Sequence, residues 1–223
     1  MLSNNDSNQD NTPLSEKIQS YIPHSGRNQL QLLEALPDYS KEFWTPIDID
    51  ISSDPTVTLC KLDFKTYSES PHDTPMFKDL VSKSKCVGEN RKTSPLSILM
   101  KEMATDPTPP IPPTGFVFHE GRVGSTLVAN LLGSNPDAMV FSESAPPATA
   151  MLHCNRCTRE RKVSLFRDVI TLMGRSPIHK YMFFKFQSIT ATQMEIALEA
   201  FPDTAWSFIY RDPVQTMMSQ VDP

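Results

Sequence analysis

The sequence predicts an α/β protein: three layers, α/β/α, around a mostly parallel central sheet, with a poorly ordered N-terminal region ahead of it. Three observations predict this. From residue 115 onward, short apolar runs alternate with helical stretches, the order that a parallel sheet with right-handed crossovers requires. The first of those runs, Phe116-Val117-Phe118, enters a tight turn holding Gly121 and Gly124 and then a helix. Residues 1–13, by contrast, are Asn, Asp, Ser and Gln with almost no apolar side chain, too little to offset chain entropy.

The elements follow in order. The chain divides into a disordered arm over 1–25, a small α+β extension over 26–105, a Pro-rich linker over 106–114 and the main α/β domain over 115–223. In the extension, Leu30, Leu32, Leu33 and Leu36 predict a helix over 27–36, stopped by Pro37. Alternation at Val57, Leu59, Leu62 and Phe64 predicts one strand within 55–64. Leu96 to Met103 reads as a brief helix. Asp106-Pro-Thr-Pro-Pro-Ile-Pro-Pro-Thr114 is a stiff, extended run that joins neither a helix nor a central strand.

The main domain then reads as strand 115–119, helix 124–133, strand 138–141, a loop over 142–147 and a mostly helical stretch over 148–174. Arg175-Ser-Pro177 breaks it. Strand 181–186, helix 192–200, strand 205–210 and a helix start at Asp212-Pro213 complete the order. His119, Glu143, Gln187 and Arg211 fall just beyond strand ends, where parallel sheets bind ligands.

Composition narrows the function. The chain has 223 residues and a net charge of −5, which disfavours non-specific nucleic-acid binding. The longest apolar runs fall well short of the roughly 20 residues of a membrane-spanning helix. The polar N-terminus lacks the apolar stretch of a signal peptide. The expectation is a soluble, cytoplasmic chain without a transmembrane segment. Four cysteines stand at 60, 86, 154 and 157, and only the last two form a CxxC. Without a second CxxC or a His pair at zinc spacing they are expected as free thiols, with metal or disulfide roles as the alternatives.

The stretch Gly115 to Thr126 carries the chemistry. A strand, a glycine-bearing turn and a helix N-terminus form an anion cradle, because unpaired N–H groups and the helix dipole both favour negative charge there. Gly121 and Gly124 permit close approach of a phosphate. Ser125 and Thr126 add hydroxyl donors, Val123 adds its backbone, and Arg122 adds a forked cation. The nucleoside-triphosphatase pattern G-x-x-x-x-G-K-[ST] is not met, since Gly124 precedes Ser125 and the loop has no Lys. A second stretch, Phe208-Ile-Tyr-Arg-Asp-Pro-Val-Gln-Thr-Met-Met-Ser219, ends a buried strand at Arg211 and places Ser219 two turns into the next helix.

Taken together, these stretches resemble the sulfotransferase family, which uses 3′-phosphoadenosine 5′-phosphosulfate (PAPS). In that family [RK]-x-G-[ST]-[ST] after a strand binds the 5′-phosphosulfate, and R-[DN]-P with a Ser eight residues on binds the 3′-phosphate. The resemblance covers residues 115–223, with Arg122-Val-Gly-Ser-Thr126 as the first motif and Arg211-Asp-Pro with Ser219 as the second. It implies a P-loop-like fold, PAPS as co-substrate, a hydroxyl acceptor and no metal. It places Arg122, Gly124, Ser125 and Thr126 on the 5′ side, and Arg211 and Ser219 on the 3′-phosphate. Val140-Phe-Ser-Glu-Ser-Ala-Pro is similar to the S-E-P segment of bacterial-type and some carbohydrate sulfotransferases. In tyrosyl-protein sulfotransferases a Glu in a comparable place is the base, which makes Glu143 the candidate base here.

His119 is the second candidate, with a packed imidazole as its alternative. Lys185 adds charge near the carboxyl edge in one reading; the reading preferred from sequence is an edge position with its amine in solvent. The family continues past the Arg–Ser helix, so an incomplete C-terminus and a partly bare sheet face are expected. Two alternatives stay open: a non-catalytic nucleotide-binding or interaction protein, and a P-loop nucleotide hydrolase or kinase.

Overall fold

A computed structural model describes residues 37–51, 54–154 and 156–221. The expected arm and the helix over 27–36 lie outside the described residues. Ahead of the main domain, β1 (Trp44–Asp50), β2 (Thr56–Lys61) and β3 (Arg91–Pro95) form an antiparallel sheet in the order β1-β2-β3. Only β2 was foreseen. Pro46 and the charges of Asp48 and Asp50 hide β1, yet all are compatible with an edge strand. The register shifts between Pro46 and Asp48, where an irregularity absorbs the proline. Helices α1 (Phe64–Glu69), α2 (Phe77–Lys83) and α3 (Leu96–Thr105) surround this sheet in sequence.

The segment 106–114 is extended, as its prolines require, and is fastened to the main domain along its length. Asp106 pairs with Arg175 at 2.9 Å. Ile111 N–H donates to Gly174 O at 2.9 Å, and Thr114 N–H donates to Met182 O at 2.7 Å. From Pro37 onward the chain forms one unit, and a single apolar cluster runs from Ile49, Val57 and Phe64 through to Phe184 and Ile196.

The second sheet is wholly parallel. It comprises β4 (Gly115–His119), β5 (Ala138–Ser142), β6 (Tyr181–Lys185) and β7 (Ala205–Ile209) in the order β5-β6-β4-β7. The helices between them are α4 (Ser125–Gly133), α5 (Ala145–Leu152), α6 (Arg159–Met173) and α7 (Met194–Ala200). A 3₁₀ turn over Ser188–Gln193 replaces the first part of the helix expected over 192–200. The chain moves one way from β4 to β5 and the other way from β5 through β6 to β7. Right-handed crossovers therefore place α4 on one face and α6 and α7 on the other.

Pleating sorts the side chains accordingly. Phe116, Phe118, Phe141, Phe184 and Phe186 share the face packed by Phe166 of α6. Val117, Ser142 and Lys185 lie in register with one another and so share the opposite face, with His119 two residues beyond Val117. α4 is seated closely on its own side. A Cβ on Gly133 would lie 2.6 Å from the hydroxyl of Tyr67, which is itself buried with its pKa pushed up to about 12 by desolvation. Gly133→Ala is expected to destabilise by about 1–3 kcal/mol, read as a lower urea midpoint.

β7 is an edge strand, and its outer side is open: Trp206 is 54% exposed and Phe208 37%. The last helix, α8 (Pro213–Val221), exposes Val214, Met217, Met218 and Val221. Among the described residues no helix is long and apolar enough to cross a membrane.

The cysteines correct an expectation. They are paired, Cys60 with Cys86 and Cys154 with Cys157, and no free thiol is found among them. Cys60 lies in β2 and Cys86 just after α2, 26 residues on, so the pair is close only once the sheet and helix pack.

Candidate functional site

The sheet order reverses at β4, and ligands of such sheets sit beyond the strand ends at that point. There β4 ends at His119, and residues 120–124 turn into α4. Two residues make the turn with positive φ: Arg122 at 64° and Gly124 at 84°. Gly124 is the N-cap and supplies no side chain, so the N–H groups at the start of α4 are left for another acceptor. Ser125 is buried at that start, and Gly121, Val123 and Thr126 are partly exposed around it.

Three described non-glycine residues have positive φ, and two of them are Arg122 and Glu143. A left-handed conformation at such residues costs on the order of 1–3 kcal/mol and gathers where a site dictates the backbone. Glu143 takes it immediately after β5, with φ 56°, and its N–H donates to Lys185 O at 2.7 Å.

Lys185 is the largest departure from the sequence reading. β6 is an interior strand, not an edge, and Lys185 is 1% exposed. Its ammonium forms an ion pair with Glu143 Oε1. The candidate base Glu143 is thus held by a buried lysine. The same carboxylate oxygen lies 3.7 Å from His119 Nε2. His119 is itself buried between carbonyls, with Nε2 2.8 Å from Phe186 O and Nδ1 2.6 Å from Glu120 O. A neutral ring donates to only one of these, and neither nitrogen is free for an acceptor. The arrangement suits an imidazole that holds strand ends together.

The two motif stretches meet. Arg122 Nε donates to Ser219 Oγ at 3.1 Å, and Nη2 donates to Ser219 O at 2.9 Å, across 97 residues of sequence. Arg211 does not join them. Its Nε donates to Gln215 Oε1 at 2.9 Å, one turn along α8. Arg211 and Ser219 nevertheless line the same open concavity of about 820 Å³. Gln187, the remaining strand-end residue, approaches Glu143 O at 3.5 Å.

Comparison with protein-family models, curated proteins and solved structures finds no match. The functional reading therefore stands on the residues of this chain. They place at the carboxyl edge of the sheet the helix-start N–H groups, the hydroxyls of Ser125, Thr126 and Ser219, the cations Arg122 and Lys185 and the Glu143 carboxylate, with Arg211 turned to Gln215 on α8. Such a set can bind a doubly anionic ligand and move one proton.

Proposed function

We propose that this protein is a sulfotransferase that binds PAPS along the carboxyl edge of its parallel sheet and transfers the sulfuryl group to a hydroxyl acceptor. The observation that carries the reading is the contact of Arg122 with Ser219, because it joins the stretch suited to the 5′-phosphosulfate with the stretch suited to the 3′-phosphate.

In this reading the loop N–H groups, Ser125 and Thr126 hold the 5′ side, with Arg122 as the forked cation. Ser219 and Arg211 take the 3′-phosphate. Arg211 exchanges Gln215, a neutral partner, for an anion that binds it more strongly. Glu143 accepts the proton of the acceptor hydroxyl as that oxygen bonds to sulfur. The bond from sulfur to the bridging oxygen breaks, and 3′-phosphoadenosine 5′-phosphate leaves with the electron pair. Arg122, Lys185 and the loop N–H groups stabilise the charge gathering on the transferred and bridging oxygens. His119 positions the ends of β4 and β6 for these groups.

The two disulfides favour folding in an oxidising compartment over the cytoplasm expected from sequence.

A thermal-shift titration with 3′-phosphoadenosine 5′-phosphate, set against ATP with Mg²⁺, tests the proposal. Ligand at 100 times its Kd stabilises by about 2.7 kcal/mol, a rise of roughly 5–10 °C for a chain of this size. Arg122→Ala and Arg211→Ala are each expected to weaken the bisphosphate by about 10–100-fold, since each removes a charged hydrogen bond. A shift with ATP–Mg²⁺ alone would transfer the reading to a nucleotide hydrolase or kinase. No shift with either would leave a non-catalytic interaction protein.

A further inference from the structure

We infer that Lys185 is contested between two anions: the Glu143 carboxylate that holds it in the structure, and a tetrahedral oxyanion of the donor that displaces that carboxylate. This rests on the sulfuryl-transfer reading and adds a rule to it. Glu143 is freed to act as a base only when the donor is in place.

The asymmetry of the pair is the reason. Lys185 is 1% exposed on an interior strand, fixed between its neighbours in β4 and β5. An ammonium so placed has to keep an anion beside it, because the cost of leaving it unpaired is several times that at a surface. Glu143 is 30% exposed at its side chain and sits in a loop, so its carboxylate recovers hydration when it turns away. The amine therefore stays and the carboxylate can leave. The backbone of Glu143 need not move for this: its N–H remains bonded to Lys185 O while the side chain rotates.

The competing anion arrives from the same side. His119 is the last residue of β4, the anion loop starts at the next residue, and His119 Nε2 is 3.7 Å from the oxygen that binds Lys185. A sulfuryl or phosphoryl group seated on the loop N–H groups thus has Lys185 as a cation within the same cluster. Two anions crowded on one ammonium repel each other, the more strongly in a partly buried setting. One of them has to yield, and only Glu143 has water to yield to. The binding energy of the donor thereby releases the base. In the paired state the carboxylate is neutralised by Lys185.

The exchange predicts an opposite sign for two substitutions in one cluster. Glu143→Gln removes the competitor and is expected to bind 3′-phosphoadenosine 5′-phosphate and inorganic sulfate about tenfold more tightly than wild type. Lys185→Met removes the contested cation and is expected to bind both about tenfold more weakly. Glu143→Asp, a shorter carboxylate that keeps the charge, is expected between wild type and Glu143→Gln, and decides the matter if the Gln variant does not fold. The measurement is isothermal titration at constant ionic strength, with circular dichroism on each variant. Equal or weaker binding by Glu143→Gln, with Glu143→Asp unchanged, overturns the exchange. The predicted order with sulfate but no binding of the bisphosphate upholds the exchange and sinks the nucleotide reading. No binding of either ligand by any variant overturns both.

Discussion

Replacing Cys60 and Cys86 with Ser is expected to lower stability by about 3.5 kcal/mol and the melting temperature by roughly 7–14 °C. The bridge closes a loop spanning 26 residues of sequence, and the loss follows from the chain entropy returned to the unfolded state when that loop opens. Cys60 is fully buried in β2, and Asn90 fastens the same corner by donating from Nδ2 to Ser84 O at 2.7 Å and to Lys61 O at 3.2 Å. Cys154–Cys157 is the internal control. It spans three residues, for which the same relation gives about 1.6 kcal/mol. Urea melts of the two double variants, run without reductant beside wild type, are therefore expected to differ by about twofold in the stability lost. An equal loss, or a larger one at Cys154–Cys157, would show that the long loop is not what the first bridge restrains. Reductant should remove both contributions in wild type and only the smaller, Cys154–Cys157 contribution in the Cys60/Cys86 variant.

That bridge also marks where the sequence stops being informative. Four cysteines allow three pairings, and a spacing of 26 residues carries no signal of its own; the pair forms because β2 and the end of α2 are brought together by packing. The neighbouring β1 was hidden for a different reason. Pro46 and alternating aspartates interrupt the apolar pattern of a strand, and the edge position and irregular register are what accommodate them. The main domain was far more legible, because β4 to β7 are short apolar runs divided by helices, and buried parallel strands read that way.

The site was legible in its residues and not in its pairings. Gly124, Ser125 and Ser219 declare themselves by spacing, but nothing in the sequence reveals that Arg122 reaches Ser219 while Arg211 turns to Gln215. Lys185 was misplaced because strand order is not written locally. A Lys in Tyr181-Met-Phe-Phe-Lys is tolerable at an edge and exceptional in the interior, and the choice depends on β4 and β5 closing on both sides of β6. Its burial then fixes the role of Glu143, since an interior ammonium selects the nearest carboxylate as partner.

Acid is expected to remove about 3 kcal/mol of stability through His179 alone. His179 is buried beneath the aromatic corner of the first sheet, with the rings of Phe64, Tyr39 and Phe43 at 5.0, 6.1 and 6.1 Å. Desolvation there pulls its pKa down to about 4, against a partial opposing pull from Asp137. Asp137 is itself engaged by Lys180 at 2.8 Å, which weakens that pull. The local hydrogen bonds agree with a neutral ring. Ser176 Oγ accepts N–H bonds from His179 at 3.2 Å and from Ile178 at 3.4 Å, so its own proton goes to His179 Nδ1 at 2.7 Å. A ring protonated at Nδ1 would turn that bond into two donors facing each other or force Ser176 to accept a third time.

In the unfolded chain the same imidazole takes its proton near pH 6.5. Between that value and about 4 the unfolded state binds a proton that the folded state refuses, so stability falls as pH is lowered through this window and is fully present above it. The width of the window, at 1.36 kcal/mol per pH unit, gives the figure of about 3 kcal/mol. Carboxylates add their own acid dependence, so the decisive quantity is the difference between wild type and His179→Asn, which keeps a polar group for Ser176 but does not titrate here. Urea midpoints at pH 7, 5 and 4 are expected to show the variant losing much less stability than wild type over that range, even if it is less stable at pH 7. Parallel loss in the two proteins would mean that His179 takes up its proton in the folded state as readily as in the unfolded one, and that the aromatic corner does not exclude charge.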